Sequence, residues 1–249
     1  MTAGAQREPA ATEPEVIWLR QEPSTTRSAH TRREIAAAAL AIADADGFEA
    51  VSMRHVAQRL GAGTMTLYNY VRSKDELVTL MADAVMAEAL VPEGHLAEGG
   101  WREGLRQIAL HKRETFRRHR WALDRLEHSQ PVPNGLRTFE QSLRACSRLD
   151  IPPAEKSELI FLVDDYVFGF ALREAREIED RRRGWSPEIL RFLQAQLESG
   201  DLPEFRNFIG DDVKAGFDWA GDLFLGEGRF ERGLERLLDG IEADIKRDR

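Results

Sequence analysis

Apolar positions along the chain recur three and four apart, and almost nowhere two apart. No sustained period-two alternation lies between turn residues, so the pattern predicts helices and no sheet. Thr31 is placed to cap a first helix ending at Asp46-Gly47, with Ile35, Ala39, Ile42 and Ala43 as its stripe and Phe48 packing back. A short helix follows Ser52, with Met53, Val56, Ala57 and Leu60 on one face, and Gly61 breaks it. A second short helix covers 64–70, with Leu67 and Val71 turned inward. Ser73 and Glu76 have capping-box spacing and open a helix to about Ala89.

Val91-Pro92, Gly94 and Gly99-Gly100 mark a boundary. Beyond it the pattern predicts helices over 101–118, with Leu105, Ile108 and Leu110 inside, and over 121–128. The next runs from a cap at Asn134 to about Leu149, and another covers 154–179. Residues 159–172 are apolar almost all round, which requires cover on several sides. Residues 180–212 read as polar and irregular, with one helix over 186–197. The last helix carries Phe230, Leu234, Leu237, Leu238, Ile241 and Ile245. No internal repeat is evident. The organisation expected is a disordered arm over 1–29, in which Val16-Ile17-Trp18-Leu19 is a patch able to dock. A three-helix unit over 30–75 and a longer helical unit over 76–249 follow. The fold class is all-α.

Composition changes this picture little. At 42% hydrophobic and 31% charged, the 249-residue chain has enough apolar material for a core. No apolar run reaches the roughly 18 residues of a spanning helix, and no secretory leader is visible. The single cysteine, Cys146, forms no internal disulfide and fits a reducing cytoplasm. A buried small apolar role is the expectation for it, a reactive thiol the alternative.

Charge is more informative. The total is −8, yet 50–74 holds Arg54, Arg59, Arg72 and Lys74 and no acidic residue, leaving the remainder at −12. A local polyanion-binding head on an acidic body has this distribution. The same window reads helix, glycine turn, helix, the spacing of a helix-turn-helix whose second helix enters a major groove. The outward residues of that second helix, Thr64, Met65, Thr66, Tyr68, Asn69 and Tyr70, include no carboxylate to repel phosphate. Thr and Asn can bond base edges or phosphates, and methyl groups can meet the thymine methyl. The spacing alone also fits a helical hairpin that only packs.

The stretch 52–71, with the preceding Ala43-Asp44-Ala45-Asp46-Gly47-Phe48 and the following Lys74-Asp75-Glu76-Leu77, resembles the DNA-binding domain of the tetracycline-repressor family. Its Leu-Tyr-x-x-Val-x-x-Lys-x-x-Leu signature stands here as Leu67, Tyr68, Val71, Lys74 and Leu77. The resemblance implies that Arg54 reaches a base or phosphate, and that Thr64, Met65 and Thr66 open the recognition helix. It implies phosphate contacts from Tyr68 and Tyr70, a base or backbone contact from Asn69, and a phosphate held by Lys74 at a helix N-terminus. One of the two tyrosines being part of the core is the alternative. Many relatives have an aromatic or charged residue where Asn69 and Tyr70 stand, so the bases read are not carried over.

Further along, Pro133-Asn134-Gly135-Leu136, Tyr166-Val167-Phe168-Gly169-Phe170 and Phe230-Glu231-Arg232-Gly233-Leu234 resemble that family's ligand and dimerisation domain more loosely. What this implies is a homodimeric repressor on a palindromic operator in double-stranded DNA, released by a small-molecule effector, with no cofactor and no membrane partner. Trp101, His111, Phe116, Trp121, Phe139, Asp165 and Phe168 supply aromatic walls and a few polar anchors for such a molecule. Ile160, Val163, Val167, Leu234, Leu237, Leu238 and Ile241 are the expected dimer face, intramolecular core being the alternative. A helical module that binds no DNA is a rival reading, an enzyme a weaker one. The adjacent carboxylates Asp164-Asp165 point about 100° apart on a helix and make a poor acid–base pair. No metal-ligand spacing, phosphate loop or nucleophile motif appears in the sequence.

Overall fold

In a computed structural model the structure describes residues 16–23, 30–92, 94, 96, 99–126 and 131–247. The regular elements among them are helical. The expected disorder of the arm falls largely outside these residues, as does the end of the helix expected over 121–128. The chain divides after Met81 into two compact units.

The first unit holds α1 (Arg32–Asp46), α2 (Met53–Arg59), α3 (Thr64–Tyr68) and the start of α4 (Lys74–Glu88). Thr31 caps α1 in a full capping box with Glu34, and Gly47 ends it at φ 86°. Ile35, Ala39, Val56, Leu67, Val71, Leu77 and Met81 have essentially no exposed surface and form one apolar interior. Ser73 Oγ accepts from the Glu76 N–H at 3.1 Å, as the predicted box requires. The return arm differs: the Glu76 carboxylate takes the Arg72 N–H at 2.7 Å, and its remaining capacity goes to Arg20.

The second unit holds the end of α4, then α5 (Trp101–Arg118), α6 (Leu123–Leu126), α7 (Pro133–Ala145), α8 (Pro153–Arg183), α9 (Pro187–Glu198), α10 (Pro203–Ile209), α11 (Val213–Leu225) and α12 (Arg229–Arg247). Leu105, Ile108 and Phe116 of α5 pack among the buried Ile160, Val163 and Val167 of α8 and Phe230, Leu234 and Leu238 of α12. Arg113 lies 5.2 Å from the Phe170 ring centre and 4.7 Å from that of Phe230, and pairs with Glu174 and Glu231. A half-buried guanidinium is tolerable here because both carboxylates and both ring faces receive it.

Two expectations need correction. Asn134 is not the cap of α7. That position is Val132, which has no side-chain oxygen, and the Asp83 carboxylate from α4 takes the Asn134 N–H at 2.7 Å instead. The region 180–212 is more regular than its polarity implied. It contains the last turn of α8, α9 and α10, and the hairpin from α10 to α11 closes on Leu197, Ile209 and Val213. Cys146 is fully buried, and burial pushes its thiol up to about 11, so it stays protonated at neutral pH.

Candidate nucleic-acid interface and ligand cavity

The helix-turn-helix is built by one cap, one glycine and two anchors. Ser52 Oγ accepts from the His55 N–H at 3.2 Å and starts α2. Gly61, at φ 65°, turns the chain in a backbone region that costs a side-chain-bearing residue energy. Leu67 and Val71, both fully buried, fix which face of α3 looks out. That outward face carries Met65 at 76% exposure, Thr66, Tyr68 and Asn69, with Thr64 half-buried beside them. Tyr70 is not on it: at 3% exposure its ring belongs to the core, and its carbonyl accepts from Arg20 and Arg32. Arg54, Arg59, Arg72 and Lys74 are exposed, and the Lys74 ammonium sits 5.5 Å from the Phe48 ring centre.

A strap missing from the sequence-derived site braces this unit. Residues 16–23 dock through the buried Ile17 of a 3-10 turn, Ile17–Leu19. Arg20 donates to both Glu76 oxygens, at 2.9 and 2.7 Å, and to the Tyr70 carbonyl at 3.0 Å. Arg32 donates back to the carbonyls of Ile17 and Arg20, at 3.0 and 2.8 Å. The Arg20 hydrogen bonds hold the Glu76 carboxyl below the usual carboxylate range, against the opposing effect of burial. Burial, and then the neighbouring Arg20 charge, lower Arg32.

In the second unit a cavity of about 590 Å³ opens between α5, α7 and α8, lined also by Met86 of α4. Its size is that of a drug-sized ligand site. Of the seven expected ligand residues, Phe116, Asp165 and Phe168 line it, the two rings meeting edge to face at 5.9 Å. Trp101, His111, Trp121 and Phe139 do not; Phe139 stacks on Phe161 at 5.7 Å instead. Lys112, Thr138 and Asp164 are polar lining residues that sequence reasoning missed. The available signal was spacing: Lys112 with Phe116, and Asp164 with Phe168, stand four apart on the faces that α5 and α8 turn to one another. The buried Lys112 donates to Asp164 Oδ1 at 2.6 Å. Among the described residues no group of three or more His, Cys, Asp or Glu is arranged to hold a metal ion, and no helix is long and apolar enough to cross a membrane.

Of the seven residues expected at a dimer face, six are already buried within the single chain. Ile160, Val163, Val167, Leu234, Leu238 and Ile241 are at most 5% exposed within the single chain, and Leu237 is half-buried. The apolar stripe was legible, but the chain's own α5 covers it. Phe161 and Leu162, on the opposite flank of α8, are about half exposed.

Comparison with known proteins agrees with both halves. Residues 35–81 match the family model described as bacterial regulatory proteins of the tetR family, and residues 93–245 match the tetracyclin repressor-like C-terminal domain. The transcriptional repressor DrrR1 of Streptomyces coeruleorubidus is 34% identical over 88% of this chain and 80% of its own length. A transcriptional regulator of Saccharopolyspora erythraea is 29% identical over 98% of both chains. ActR of Streptomyces coelicolor, solved in complex with actinorhodin, superposes with a TM-score of 0.63 at 28% identity, covering 86% of this chain and 96% of that one.

Proposed function

Because the chain belongs to the tetracycline-repressor family of DNA-binding, ligand-responsive regulators, we propose that it is a repressor of this kind. It reads a palindromic operator as a homodimer and lets go when a small molecule fills the cavity between α5, α7 and α8. The observation that carries this reading is the face of α3. Met65, Thr66, Tyr68 and Asn69 stand outward beside four exposed cations, on a chain of net charge −8. Threonine, asparagine and a phenol suit base edges and phosphates, and no carboxylate shares that helix.

One head makes few contacts, and two-fold pairing supplies a second recognition helix about 34–36 Å away. Phe161 and Leu162 of α8 are apolar surface that a partner copy can cover. Control by a ligand has a route along α4. This helix starts at Lys74, brings Met86 to the cavity, and is tied to α7 by three Asn134–Asp83 hydrogen bonds. Typical couplings of this sort are about 1–3 kcal/mol. That DrrR1 is a repressor, and that ActR was crystallised with actinorhodin, support the same reading.

Selection from a random duplex pool at near-physiological salt tests it, with a Thr66→Ala/Tyr68→Ala chain in parallel. An enriched inverted repeat that the double variant fails to enrich is the expected result. No enrichment across a range of salt, repeated after denaturation and refolding to strip any carried-over ligand, refutes it.

A further inference from the structure

We propose that the occupant of this cavity is a planar aromatic molecule bearing a protonated amine, with Asp165 as its counter-charge; this rests on reading the cavity as the effector site. Three charged side chains line the cavity: Lys112, Asp164 and Asp165. The first two neutralise each other. Lys112 is 7% exposed and its ammonium is 2.6 Å from Asp164, so this pair is shielded from solvent on the lysine side. An anionic ligand would have to draw Lys112 away and leave Asp164 unpaired, at a desolvation cost that grows with burial.

Asp165 is different. It has no ion-pair or hydrogen-bond partner among the described residues, and it is exposed. It therefore gives the lining a net charge of −1. Four residues on, Gly169 also lines the cavity, and a Cβ built there meets nothing within 4 Å, so the wall beside Asp165 stands open. An ammonium entering there gains a charge-assisted bond as the ring system it carries displaces water from apolar walls.

Those walls are suited to a flat ring system. Phe116 and Phe168 stand at 87° to each other, so one offers its face where the other offers an edge. Met86, Val132, Leu136 and Val167 add to the apolar lining. The Thr138 hydroxyl already donates to the Gly135 carbonyl at 2.7 Å, which leaves its oxygen free only to accept. Asp165 and the Thr138 oxygen are thus both acceptors, and a protonated amine is a pure donor.

Fluorescence titration of the full chain, free of DNA at pH 7, tests this with three flat probes: cationic 9-aminoacridine, neutral acridone and anionic anthracene-2-carboxylate. The cation is expected to bind at least tenfold more tightly than acridone, and the anion more weakly than either. Asp165→Asn should abolish the cation's advantage and move acridone affinity less than about twofold. Gly169→Phe, which fills the open wall where there is room for it, should weaken all three. An anion that binds as tightly as the cation overturns the proposal. So does a cation preference that survives Asp165→Asn, or the failure of every probe to bind. Operator release is read separately, comparing wild-type and Asp165→Asn chains so that any direct effect of the dye on DNA cancels. If the charge preference appears but 9-aminoacridine releases neither chain from DNA, the ligand class stands and the effector reading fails.

Discussion

Replacing Arg20 by Met removes the strap's grip on the DNA-reading unit while keeping its aliphatic stem. Among the described residues Arg20 donates twice to Glu76 and once to the Tyr70 carbonyl. The two side chains are only 10% and 20% exposed. An exposed pair would contribute about 0–1 kcal/mol, and stripping one member from a buried pair costs about 3–5 kcal/mol. Glu76 keeps its bond from the Arg72 N–H, so the remaining carboxylate is not wholly abandoned. The loss should therefore be about 2 kcal/mol, close to thirtyfold in local opening. Amide hydrogen exchange over 64–80 reads this directly, in wild type, Arg20→Met, Glu76→Gln and the double variant. A coupling of about 1–2 kcal/mol is expected between the two sites. Effects that add within about 0.5 kcal/mol would refute the brace. The pH dependence has a defined sign. The Glu76 carboxyl is lowered in the fold, so its contribution is full above about 4.5, its ordinary value, and is lost as pH falls through the lowered one. Wild type should lose protection in that acid window, and Glu76→Gln should lose less.

Gly216→Ala should destabilise the hairpin from α10 to α11 by about 1–3 kcal/mol, because a Cβ there runs into the Ile209 carbonyl oxygen; a variant with an unchanged urea midpoint would contradict that packing. Asp83→Ala should strip α7 of its borrowed cap, at about 0.5–2 kcal/mol, visible as faster exchange over 133–138. Asp164→Asn should cost more stability than Lys112→Met, because it leaves the more deeply buried charge alone; equal losses in thermal unfolding would argue against the pairing. In DNA titrations, Lys74→Gln should weaken binding to all sequences alike and flatten the salt slope by about 0.9, whereas Thr66→Ala should relax specificity without changing that slope.

The helices with strong local grammar are legible from the chain alone. Thr31, Ser52 and Gly61 are caps and a turn whose chemistry acts within four residues, so α1, α2 and the turn to α3 were legible. The buried Leu67 and Val71 followed from spacing alone, and with them the outward Thr66 and Tyr68. Tyr70 shows where spacing stops. It lies one residue before the anchor Val71, and only the packing around it decides that its ring goes inside. The cap of α7 was invisible because its acceptor, Asp83, is about fifty residues away in the chain. Six of the seven apolar residues expected at a dimer face are buried within the single chain, and a stripe does not say whether the chain itself or a second copy covers it. The strap shows in the sequence only as an apolar patch, because its partner Glu76 stands 56 residues on. Local sequence fixes dihedrals and periodicity; tertiary structure alone decides which distant groups are brought within hydrogen-bond reach. The cavity with Lys112, Asp164 and Asp165 is of that second kind, because its charge balance exists only once α5 has met α8.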